Sequence, residues 1–101
     1  MIATITPEKL KKYFSITSEA LTKAKPALDQ SRKAQAADFL DMAQRYYDDA
    51  HYFEQKGEVV TAFAALNYAH GWLDAGARIG LFTVKDSRLF TVDGAEGQEE
   101  R

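Results

Sequence analysis

Cysteine is absent from this chain of 101 residues. That excludes a disulfide framework, a thiolate nucleophile and any zinc site built on sulfur. Histidine is nearly as scarce. His51 and His70 fall on different predicted helices, and no third nitrogen or sulfur ligand exists, so no metal site is expected. Positive charge is not in excess either. Lys and Arg number 13 against 15 Asp and Glu, a formal net charge of −2. Nucleic-acid affinity is carried mostly by Lys and Arg on phosphates, so no nucleic-acid partner is expected. Long apolar runs are missing too. Asp74 and Arg78 interrupt the one candidate span, which argues against a membrane partner. The opening residues MIATITPEKLKKYF lack the continuous apolar stretch of a signal peptide, so the expected location is the cytoplasm. Catalysis leaves no positive signature. There is no phosphate loop, no nucleophile with a base at fixed spacing and no carboxylate pair in an apolar setting. No catalytic residue and no cofactor are predicted.

What is present suffices for one core. Hydrophobic residues make up 46% and charged residues 28%, an ordinary balance for a globular domain. The expected organisation is a single helical domain over residues 1–92 and a disordered acidic tail over 93–101, with no repeat and no second domain.

The first helix announces itself. Thr6 is a good N-cap, Pro7 suits the first helical position, and Glu8 complements the positive helix end. Leu10, Tyr13, Phe14, Thr17, Ala20, Leu21 and Ala24 then form one stripe. Pro26 stops the helix, because the residue before proline avoids the helical region. A connection with Leu28 tucked inward leads to Asp29 or Ser31 as the next cap. The second helix is predicted from about Arg32 to Lys56. Ala36, Phe39, Leu40, Ala43, Tyr46, Tyr47, Ala50 and Phe53 face inward, while Arg45 can pair with Asp41 and Asp49 outside. Gly57 supplies a left-handed C-cap, so the second and third helices should form a tight hairpin.

The third helix, predicted over residues 58–82, is apolar nearly all round. Val59, Phe63, Leu66, His70, Leu73, Ala77 and Leu81 make one stripe. Ala64, Ala65, Tyr68, Trp72, Ala75 and Ile79 lie roughly opposite. Such a helix is expected to be covered on more than one side. Gly71, Gly76 and Gly80 each cost about 1 kcal/mol inside a helix, which implies close approach of another backbone, or, at Gly80, the end of the helix. The following LFTVKDSRLFTV, residues 81–92, reads as a small hairpin or an apolar strap, with the second stripe as its natural seat. The fold class is therefore all-α, an up-and-down three-helix bundle with a short C-terminal extended or hairpin segment.

Two groups of residues are candidates for function. Asn67, His70, Asp74 and Arg78 form a thin polar ridge on the third helix, where Asp74 could orient His70 for a small ligand. The plainer account is a buried histidine hydrogen-bonded to Asp74 or to a tyrosine, with Asp74–Arg78 as a structural ion pair. The second group is an interface. Tyr68, Trp72, Ala75 and Ile79 present an apolar face, with Trp72 as its anchor, and Tyr52 on the polar side of the second helix is a further contact candidate. A protein partner, or a second copy of the chain, would bind there. An aromatic groove of Tyr46, Tyr47, Tyr52, Phe53 and Tyr68 is more simply read as core or interface.

Three resemblances bear on these readings. The run YYDDAHYFEQKGEVVTAFAALNYAHGWLDAGARIGLF, residues 46–82, resembles the signature of an archaeal family of unknown function, the one numbered 357. Its pattern, of the type YYxDAxYFxxKGDxxxAFxxxxYAHGWLDAGxRxGLF, is met at every fixed position except Glu58, where Asp is usual. The resemblance implies a compact three-helix bundle and an archaeal, cytoplasmic origin, and it implies no activity. Tyr46, Ala50, Phe53, Gly57, Ala62, Leu66 and Ala69 also have the spacing of a tetratricopeptide helix pair, which supports the tight hairpin. Arg45 and His51 match the loose spacing of a ribonuclease motif in HEPN domains, but at about 120° apart in mid-helix they should not converge.

Overall fold

A computed structural model of the chain describes residues 4–90. Its three helices are α1 (Pro7–Ala24), α2 (Lys33–Gln55) and α3 (Val59–Arg78). The expected acidic tail, and Thr91 and Val92 at the end of the expected strap, lie outside the described residues.

Helix α1 begins as its sequence dictates. The Thr6 hydroxyl accepts the Lys9 amide at 3.1 Å, with Pro7 in the first turn. Ile5, just ahead of the cap, packs on the cluster that contains Leu10, as in a hydrophobic staple. Of the predicted stripe, all but the half-buried Tyr13 are buried. Asp29, rather than Ser31, caps the approach to α2. Its carboxylate accepts from the Ser31 amide and hydroxyl and from Arg32 Nε at 2.9 to 3.1 Å. The Arg32 guanidinium is the main cause holding the Asp29 carboxyl below its ordinary pKa, with the Ser31 donors next.

Two glycines with positive φ end α2 and α3 in the same way. At Gly57 (φ 77°), the Glu58 amide reaches back to Phe53 O at 2.9 Å and the Gly57 amide to Glu54 O at 3.0 Å. At Gly80 (φ 79°), the Leu81 amide reaches Gly76 O at 2.8 Å and the Gly80 amide reaches Ala77 O at 3.2 Å. Both are Schellman caps, which need a left-handed residue that glycine adopts without strain. The second cap stops α3 at Arg78, four residues short of its expected end. Apolar periodicity continues through Ile79, Leu81 and Phe82, but the backbone does not.

The α2–α3 hairpin is the most extensive helix pairing, and α1 lies across it, touching α3 more than α2. Two clusters fill the seams. One gathers Leu10, Phe14, Ala50, Ala62, Ala65 and Leu66. The other gathers Ala20, Leu21, Ala24, Ala43, Leu73, Ala77, Phe82, Leu89 and Phe90. Tyr47 packs against both.

The strap, residues 81–90, corrects two expectations. It forms no hairpin with itself among the described residues. Phe82 makes a single antiparallel bridge to Leu28, flanked by the Asp29 amide on Leu81 O and the Thr83 amide on Ala27 O, both at 2.8 Å. Nor does it seat on the second stripe of α3. Leu89 and Phe90 enter the α1–α3 seam on the first stripe, and His70 Nε2 meets Leu89 O at 2.6 Å. Phe82 lies on Gly76. A Cβ built there would stand 2.7 Å from Cδ2 of the ring and nearer still to Cε2. Close approach does explain this glycine, but the visitor is a ring and not a backbone.

Helix α3 is covered on more than one side, as expected, yet not all round. Its two neighbours and the strap cover the rest of its circumference and leave an arc of roughly 120° open. Val60, Tyr68 and Ile79 are 72%, 62% and 52% exposed, and Ala64, Gly71 and Ala75 are exposed between them. The reason is geometric. In a three-helix bundle each helix has only two neighbours, so a third side needs another covering.

Candidate functional site

Two concavities meet along α3 at Asn67 and Gly71. The first is an apolar groove between α2 and α3 of about 560 Å³, lined by Phe39, Asn67, Tyr68, Gly71, Trp72 and Ala75. Its walls are set by aromatic pairs across the hairpin. Trp72 is half-buried and packs edge-on against Phe39, with centroids 5.0 Å apart. Tyr68 stacks on Tyr46 at 4.9 Å while keeping most of its surface in solvent. Gly71 lines the groove, and a Cβ built there meets nothing within 4 Å among the described residues. An exposed glycine in mid-helix forgoes about 1 kcal/mol relative to Ala, and nothing among the described residues uses the space it leaves.

The structure thus brings four of the interface candidates onto one open surface. Tyr68, Ala75 and Ile79 are exposed on it, and Trp72 flanks it. Tyr52 does not join them. It stands about 120° around α2 from Tyr46. There it is 55% exposed, edge-on to Phe53 at 5.4 Å and beneath the Lys56 ammonium.

The second concavity is a polar cleft of about 330 Å³ between α1, α3 and the strap, lined by Tyr13, Ile16, Thr17, Asn67, His70, Gly71, Asp74 and Arg88. Three members of the predicted ridge converge here. The fourth, Arg78, does not. It lies about 80° around α3 from His70, in the last turn, exposed on the open arc. Its place is taken by Arg88, which the sequence reading missed. The only hint was the charged KDSR between two apolar runs.

His70 is a latch in this arrangement. A carbonyl can only accept, so the ring donates from Nε2 to Leu89 O. The other ring nitrogen carries the lone pair when the imidazole is neutral. Asp74 Oδ1 stands 3.8 Å from Nε2, beyond hydrogen-bond range, so the Asp74–His70 bond expected from the i, i+4 spacing is not what holds the ring.

Arg88 closes the mouth of the cleft through a four-charge network. Its Nη2 donates to Glu19 Oε2 at 2.8 Å and to Asp86 Oδ2 at 2.9 Å, and Lys23 Nζ donates to the same Asp86 oxygen at 2.8 Å. The Arg88 bonds, and then the Lys23 bond, hold the Asp86 carboxyl far below its ordinary pKa. Asp86 and, secondarily, Glu19 raise that of Arg88. All four groups remain in contact with water, so the network fixes geometry more than it adds stability.

The HEPN-like pair does not converge. Arg45 is tied to Asp41 at 2.7 Å, and His51 lies against Phe14, with ring centroids 4.3 Å apart. No cluster of three or more potential metal-ligating His, Asp or Glu side chains occurs among the described residues, and no helix there is long and apolar enough to cross a membrane.

Fold and surface together define a small helical bundle, tied by a C-terminal strap, with one apolar helix face and its groove left open. The chain belongs to DUF357, a family of proteins of unknown function, whose family model matches residues 12–82. No curated protein and no solved structure matches it significantly.

Proposed function

We propose that this protein is an interaction module that works through the open face of α3, and that the occupant of that face is a second copy of the chain. The observation that carries the reading is the exposure of Tyr68 at a groove walled by Phe39 and Trp72, with Ile79 and Val60 exposed further along the same face. Large apolar side chains gathered around a concavity are the usual mark of a contact surface. Few charges interrupt the face, since Arg78 is the one formal charge on the exposed arc of α3. It is therefore poorly suited to a highly charged partner. The cytoplasm is the compartment in which we place this association.

Sedimentation velocity from about 1 to 200 μM tests it, a range that spans the micromolar affinities expected of a small interface. The wild type should pass from monomer to dimer, and Tyr68→Glu should stay monomeric. Tyr52→Glu, off the face, should behave as wild type. A wild type that remains monomeric throughout overturns the reading. Tyr68 is a better probe than Trp72, whose half-buried ring supports the fold itself.

One observation favours small-ligand binding as a second reading: Asn67, His70 and Asp74 gather at the polar cleft. Against it, His70 Nε2 and the Arg88 guanidinium are already engaged within the chain. A ligand there would have to compete with the strap.

A further inference from the structure

We draw no further inference here: the strongest candidate, the polar cleft between α1, α3 and the strap lined by Asn67, His70, Asp74 and Arg88, belongs to the site already described, where His70 and Arg88 are engaged by Leu89, Asp86 and Glu19 of the same chain.

Discussion

Replacing Gly76 by Ala should destabilise this protein, although alanine is the better helix former by about 1 kcal/mol. The added methyl would overlap the ring of Phe82, 2.7 Å from Cδ2. Ring carbons sit comfortably at 3.5–4.0 Å, so the two groups cannot coexist without movement. The ring has little room to withdraw. Phe82 is 1% exposed, and its backbone is held by the Leu81 amide on Gly76 O and by the ties of Leu81 and Thr83 to the connection at residues 27–29. Shifting a packed group in this way costs about 1–3 kcal/mol. Expelling the ring instead forfeits about 2–3 kcal/mol of burial and leaves a hole. After the propensity gain of about 1 kcal/mol, a net loss of up to about 2 kcal/mol remains, or up to roughly 10 °C in Tm for a domain of this size. Gly71→Ala is the matched control in the same helix. Its methyl meets nothing within 4 Å, so at concentrations where the chain is monomeric it should gain up to about 1 kcal/mol and raise Tm. Thermal unfolding by circular dichroism in dilute solution reads both. Trimming the ring in the double variant Gly76→Ala/Phe82→Leu should recover part of the loss, giving a coupling energy of about 0.5–3 kcal/mol in the cycle. A Gly76→Ala protein as stable as wild type, or one that rises with Gly71→Ala, would refute the steric argument.

Two further outcomes follow from the strap. His70→Ala removes the donor to Leu89 O and should cost about 1–3 kcal/mol, with faster hydrogen exchange at the Leu89 and Phe90 amides than in α2; unchanged exchange there would show that the latch does not hold the strap. Acid should loosen the same segment. The folded pKa of Asp86 lies below its unfolded value of about 3.9, so the unfolded chain takes up the proton first as pH falls. The stabilisation is full above that value and is lost as pH drops through it towards the folded pKa. The melting temperature of the wild type should therefore fall more steeply between about pH 5 and pH 2.5 than that of Asp86→Asn; equal slopes would remove Asp86 as a cause.

What the sequence made legible was local. The Thr6 cap, the stripe of α1 and the Gly57 turn rest on residues within a few positions of one another, and each stands as read. Arg45 shows the limit even there, since of its two evenly spaced acidic neighbours it is Asp41 that it binds. Apolar periodicity runs four residues past the end of α3 because it does not register the left-handed glycine at position 80. Counting residues also overstated how greasy its outer face is. Ala64, Gly71 and Ala75 are apolar but small, so leaving them uncovered costs little. The destination of the strap is not legible, because Leu28 lies 54 residues from Phe82 and His70 19 from Leu89, and each contact depends on the others being made. For the same reason Arg88, and not Arg78, reaches the cleft. The chain reverses after α3, and a residue ten positions further on returns to the level of His70.

The strap also orders events during synthesis. Helix α1 is made before α2, α3 and the strap, yet it touches α2 only lightly. Its firmer neighbours are α3 and the strap, whose Leu89 and Phe90 share its cluster and whose Asp86 and Arg88 clasp Lys23 and Glu19. Some 66 residues separate Ala24 from Phe90, about 3–13 s of elongation at 5–20 residues per second. Until α3 and the strap are made the apolar stripe of α1 has no finished surface to dock on, whereas the α2–α3 hairpin can close before the strap arrives. The earliest of the three helices is thus the last to settle, and the nascent chain is most vulnerable to other exposed apolar surfaces until the strap has been made.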